Sequence, residues 1–306
     1  MAHSALQLGD SIDIIAPGFR TNKEDVEKAC VWLRSLGYEP RVPKDLYSPH
    51  FLHSAPDKTR LAHLKNALQS PSKVIWCLRG GYGSNRLLPE LAKMKKPKHS
   101  KLLIGLSDIT SIQMFLCMHW GWPSLHTSLL DRFAQKRVTA KIEKEILDLI
   151  TGNTPEVTFQ KLRPMNKAAR VRKNINAPLW GGNMVTLQSL IGTDFAPNIK
   201  KPFILFLEEI GERGYRVDRI LEHFDQAGWY KNCRAVIFGD MMPAHESDGK
   251  DLVLPAMKRF ADKIKIPVLD RLPSGHSEVQ RPVPIGTQAH LSLSSNCVLK
   301  IESGIK

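Results

Sequence analysis

Three segments of this 306-residue chain carry side chains whose types and placement suit chemistry: "LLIGLSDITSI" (102–112), "FLEEIGERGYRVDR" (206–219) and "PSGHSEVQRPVPIG" (273–286). In the first, a short apolar run feeds Ser107 and Asp108 just before a helical pattern resumes. Ser and Asp at such a junction cap a helix by accepting from its free N–H groups, or they present a nucleophile on a tight elbow. Taken alone, the segment favours the commoner cap. In the second, Glu208 and Glu209 end an apolar strand, where a carboxylate needs an ion pair or an imidazole partner; spacing alone favours the ion pair. In the third, a turn-rich loop orients His276 by its backbone, which suits a general base; an exposed bystander is the commoner case. The order Ser, Glu, His is compatible with a hydrolase triad, but a chain this long offers many such triples.

A fourth segment, "LRGGYGSNR" (78–86), is a glycine-rich turn after a strand. It fails the dinucleotide fingerprint, because Arg86 stands where the last glycine belongs, and no phosphate-loop pattern occurs. Its backbone N–H groups suit an oxyanion or a phosphate, and a plain tight turn accounts for the sequence equally well. His50 and His53 lie three apart without acidic or cysteine partners and read as loop residues, not metal ligands. Arg216, Asp218 and Arg219 read as a surface or interdomain charge network.

The elements that must position these groups follow from periodicity. "SIDIIAPG", "VIWCLRGGYG" and "LLIGLSDIT" are strands running into turns, with helical stretches at 22–36 and 85–94 and a further strand within 122–130. Regular strand–loop–helix succession predicts an α/β unit over 1–135, with a mostly parallel sheet and chemistry at its C-terminal edge. The Lys/Arg-rich stretch 136–173, apart from a helix at 140–150, is expected to be a linker. Residues 174–306 predict a second, smaller α+β domain, mainly β toward its end.

Apolar content of 42% and charged content of 24% are ordinary for a globular chain. No apolar run reaches the ~20 residues that span a bilayer, and the N-terminus does not look like a secretory signal, so a cytoplasmic protein with no membrane partner is expected. Five single cysteines fit reduced thiols. Lys plus Arg exceed Asp plus Glu by 44 − 30 = 14, but the charge is spread along the chain and no nucleic-acid-binding motif accompanies it. No nucleic-acid partner is expected; the basic balance suits anionic small molecules or solubility.

Together, "IIAPG", "RGGYGSNRLL", "GLSDIT", "LWGGNMVTLQSLIGT", "LEEIGERGYRVDRIL" and "GHSEVQRPVPIG" resemble, in the same order, the LD-carboxypeptidase family of serine peptidases. That family removes the terminal D-alanine from murein tetrapeptides and includes the microcin C immunity peptidases. The resemblance implies a flavodoxin-like N-terminal domain, a mainly β C-terminal domain and a site between them. It also implies Ser107 as nucleophile, His276 as base and Glu208 as its orienting acid, with the Gly81 and Asp108 backbone N–H groups as oxyanion hole. No metal or cofactor, a murein peptide substrate, a role in peptidoglycan recycling and a homodimer are further implications. Two positions depart from the family pattern: Leu207-Glu208-Glu209 replaces Leu-Glu-Asp, and His126-Thr127-Ser128 replaces His-Gly-Pro. The second bears on the pocket floor and hence on substrate identity. A microcin C-type immunity peptidase acting on a peptidyl-nucleotide amide, and a non-catalytic anion-binding module, are the competing expectations.

Overall fold

In the computed structural model, which describes residues 2–46 and 50–306, the N-terminal apolar runs form the parallel strands β1 (Ser11–Ile15), β2 (Glu39–Arg41), β3 (Val74–Cys77), β4 (Leu102–Gly105) and β5 (Ser124–His126). Every residue of β3 and β4 is buried, as expected where helices cover both faces and the strands read as continuous apolar runs. The helix Lys23–Ser35 shows how local sequence sets the connections. The Asn22 side chain accepts from the Asp25 amide at 2.7 Å, Glu24 and Asp25 occupy the first turn and Arg34 the last, so cap and macrodipole agree. Gly37, at φ 85°, ends it.

The second half closes a barrel from β6 (Glu156–Pro164), β7 (Lys173–Asn183), β8 (Phe203–Glu212), β9 (Cys233–Pro243) and β10 (Val268–Asp270), followed by β11 (Val283–Ile285), β12 (Thr287–Leu293) and β13 (Cys297–Glu302). Around the barrel the order is β10-β6-β13-β12-β7-β8-β9. Strand β11 is not part of it. It pairs antiparallel with β5, setting Val283 opposite His126, and completes a six-stranded sheet in the order β11-β5-β4-β3-β1-β2. Pro284 is tolerated there because β11 is an edge strand. The two α/β units are therefore interlocked, since the later part of the chain supplies an edge of the earlier sheet.

The stretch 136–173 is not a linker. It contains the helix Ala140–Ile150 and the barrel strand β6, which pairs with both β13 and β10. Buried Val157, Phe159 and Leu162 are spaced by two and then three residues. Lys161 sits at φ 60° between them, opposite a register shift in β13. That bulge breaks the period-two pattern by which a strand is read. No helix among the described residues is long and apolar enough to cross a membrane.

Beside β11, the Thr127 hydroxyl donates to the Gln280 carbonyl at 3.1 Å and the Ser128 hydroxyl to the Gln280 side-chain oxygen at 2.9 Å. The segment that departs from the family pattern thus clasps the C-terminal loop. Ser128→Ala leaves the Gln280 amide oxygen buried without this donor, and should cost about 1–3 kcal/mol of stability. Urea denaturation checks it, and an unchanged midpoint would contradict the clasp.

Candidate active site

The C-terminal ends of β1, β3 and β4 converge, as parallel sheets require of their ligand-binding edge. Ser107 follows β4 at φ 65°, a left-handed conformation that is strained for a residue with a side chain; a sharp strand-to-helix turn of this kind is what a nucleophile elbow requires. The helix-cap reading fails on geometry. Leu106 occupies the capping position with no side-chain bond, and Ser107 already lies inside the first turn.

Asp108 turns away from its own helix. Its carboxylate accepts from the Gly83 and Ser84 amides at 3.1 and 2.8 Å, and the Ser84 hydroxyl donates to the Asp108 carbonyl. Burial pushes the Asp108 carboxyl up, with the Ser84 and Gly83 bonds opposing. These bonds bind the glycine loop to the serine turn. Close approach finishes the arrangement: a Cβ on Gly80 would lie 2.9 Å from the Ser107 Cβ, and one on Gly18 would lie 2.2 Å from the Gly80 carbonyl oxygen. Only glycine fits at either place. The Gly81 and Asp108 amides find no protein acceptor among the described residues, so both are available to an anion.

Glu208, on β8, is fully buried, and its Oε2 accepts from His276 Nδ1 at 2.6 Å. A carboxylate only accepts, so Nδ1 carries a proton, and in the neutral ring Nε2 keeps its lone pair. Burial lowers the His276 imidazole, but the Glu208 charge and hydrogen bond outweigh it, and the net shift is upward. The expected ion pair is thus not what Glu208 makes; it meets an imidazole. Glu209, next along the strand, faces the other way. It accepts from Asn183 Nδ2 at 2.8 Å and the Val185 amide at 2.9 Å, and burial pushes its carboxyl up to about 7.

His276 and Ser107 line the same cleft of about 400 Å³, together with Gly81 and Gln280. A larger hollow of about 810 Å³ beside Trp32 and Phe133 contains none of these groups. The five residues expected from sequence therefore gather at one place, with the serine turn and glycine loop from one sheet and the acid and base from the barrel side.

Several supporting residues carry no sequence signal. Asp240 on β9 accepts from the Ser277 amide at 3.2 Å and the Ser277 hydroxyl at 2.6 Å, holding the loop that bears His276. Arg60, on the helix Asp57–Gln69, is almost wholly buried and donates to the Gly83 carbonyl at 2.9 Å and to the Pro17 carbonyl. His53 bonds the Tyr82 carbonyl at 3.1 Å and so supports the same loop. Among the described residues no group of acids, histidines and cysteines could hold a metal. Arg216 and Asp218 form surface pairs with Glu212 and Arg259.

Comparison with known proteins matches residues 12–127 to the LD-carboxypeptidase N-terminal domain and residues 176–291 to its C-terminal domain. A Rickettsia conorii protein named as a carboxypeptidase is 35% identical over 79% of this chain and 75% of its own length. The murein tetrapeptide carboxypeptidase of Pseudomonas aeruginosa is 26% identical over 92% of both chains. Among solved structures, muramoyltetrapeptide carboxypeptidase from Oxalobacter formigenes superposes with a TM-score of 0.83 at 30% identity, covering 95% of this chain and 98% of that one. The microcin C7 self-immunity protein MccF in its wild-type apo state shares the fold, with a TM-score of 0.85 at 18% identity and full coverage of both chains.

Removing the Asp240 carboxylate frees the Ser277 amide, and charge-assisted bonds of this kind contribute about 1.5–3 kcal/mol. Asp240→Ala should speed amide hydrogen exchange at residues 274–278 by about tenfold or more, with helix 23–35 unchanged. Unaltered exchange at Ser277 would show that the loop is held by other contacts.

Proposed function

Because this chain belongs to the LD-carboxypeptidase family and is a serine carboxypeptidase, we propose that it releases the terminal D-alanine from murein tetrapeptides, with Ser107, His276 and Glu208 as its triad. The observation that carries the reading is the 2.6 Å bond from His276 Nδ1 to buried Glu208, made by an imidazole that shares a cleft with the strained Ser107. The peptide substrate is suggested by the relatives named for murein peptides.

The chemistry follows from these positions. His276 Nε2 takes the Ser107 proton as Oγ attacks the carbonyl before the terminal residue, and Glu208 stabilises the imidazolium that forms. The Gly81 and Asp108 amides receive the developing oxyanion, where one donor contributes about 3–4 kcal/mol. His276 then protonates the leaving amine, D-alanine departs, and water activated by the same imidazole releases the acyl group from Ser107. On this reading the enzyme acts in the cytoplasm in peptidoglycan recycling, as a homodimer, and needs no cofactor.

Ser107→Ala should lower D-alanine release from a murein tetrapeptide by about 10⁴-fold or more while thermal unfolding is unchanged; undiminished turnover removes Ser107 from the mechanism. A wild-type enzyme that leaves the tetrapeptide intact but hydrolyses an aminoacyl-sulfamoyl nucleotide would replace the substrate assignment with the immunity-peptidase one.

The base must be neutral to act, and its pKa is raised, so kcat/KM should rise with pH through a value above the ordinary imidazole figure of about 6.5. Glu208→Gln leaves burial as the dominant influence, so the acid limb should move to lower pH while the plateau falls by orders of magnitude. A limb that stays in place would uncouple Glu208 from the base.

A further inference from the structure

The cleft of Ser107 and His276 also holds three arginines, Arg79, Arg132 and Arg137, against one acid, Asp131. Two arginines outside the cleft, Arg163 and Arg281, pair with Asp270 and Glu145. Among the described residues, none of these three has a carboxylate within ion-pair distance. Arg132 is the most committed of them: it is half-buried, its Nε is buried without a partner, and a terminal nitrogen reaches the Ser277 carbonyl only at 3.4 Å. Burial and then the nearby Arg137 charge hold its guanidinium below the ordinary range. Asp131 does not neutralise the group. Its Oδ1 is also buried without a partner, and Arg79 is its strongest charged neighbour.

Two guanidinium groups held close together, one partly desolvated, are stabilised by an anion between them, and a carboxylate matches the guanidinium fork. In a substrate with a free chain end, the terminal carboxylate carbon lies three bonds from the scissile carbonyl carbon. Its cation must therefore share the nucleophile's own cleft. A second hollow of about 280 Å³ that also reaches Ser107 is lined by Glu209, Glu212 and Asn183. No lysine or arginine lines it, so the cation that a chain end needs stands on the arginine side.

We propose that Arg132, backed by Arg137, binds the terminal carboxylate of the residue that leaves and thereby sets the preference for free chain ends over blocked ones. This rests on the peptide hydrolysis proposed above.

The test compares a murein tetrapeptide with its C-terminal amide on the full-length enzyme. Wild type should favour the free acid by about tenfold or more in kcat/KM, as expected for a charged hydrogen bond. Arg132→Gln should bring that ratio close to one, through a higher KM for the acid with little change on the amide. Arg132→Lys should restore part of it, and Arg234→Gln, an exposed charge on the barrel, should leave it unchanged. If Arg132→Gln does not fold by thermal melt, Arg137→Gln, whose side chain is exposed, decides by the same ratio. A ratio unchanged from wild type, or equal losses on both substrates, overturns the carboxylate assignment while leaving the hydrolysis intact. Absence of D-alanine release by wild type overturns the hydrolysis and this assignment with it.

Discussion

The antiparallel pairing of β11 with β5 joins the two halves of the site, because the loop that carries His276 runs directly into β11. At one end of that loop, Asp240 on the barrel strand β9 grips Ser277; at the other, Thr127 and Ser128 grip Gln280 beside the sheet. His276 is thereby suspended between the barrel and the parallel sheet. Its distance from Ser107 depends on tertiary pairing, not on the flexibility of a linker. A site formed by groups from distant segments needs positions held to within a fraction of an ångström, and a segment anchored at both ends supplies that rigidity.

Burial gives three neighbouring carboxylates three different tasks. Asp108 is spent on backbone amides and welds the glycine loop to the serine turn. Glu208 meets an imidazole, and Glu209 holds Asn183 and the Val185 amide on the opposite face of the same strand. An unpaired buried carboxylate is costly, so each acid is tied to the donors its strand presents to it. His126 shows the other limit. Fully buried edge-on to Phe206, with neither nitrogen bonded among the described residues, it is pushed down to about 4 and stays neutral.

Positive charge in the cleft is handled differently. Arg79, Arg132 and Arg137 line it with no carboxylate within ion-pair distance among the described residues, leaving the cleft an electrostatic asymmetry that a neutral pocket would lack. Spread over the whole chain, the excess of 14 positive charges indicates no particular ligand; three of them, Arg79, Arg132 and Arg137, are gathered in the cleft of Ser107.

The amino-acid sequence by itself determined the strands "VIWC" and "LLIG", the helix begun at Asn22 and the chemical types at 107, 208 and 276, because apolar periodicity, capping and turn chemistry are local. It misread β6, since the bulge at Lys161 disrupts the alternation, and on spacing alone it favoured an ion pair over an imidazole for the acid at 208. Tertiary structure alone decided that Ser107 stands in a left-handed turn and does not cap the helix, that Glu208 faces His276, that β11 crosses to the other sheet, that Arg60 and Asp240 hold the loops around the cleft, and that Arg132 lines it. Each of those outcomes depends on which distant segment arrives as a neighbour, and contacts between residues a hundred positions apart leave no period or spacing along the chain.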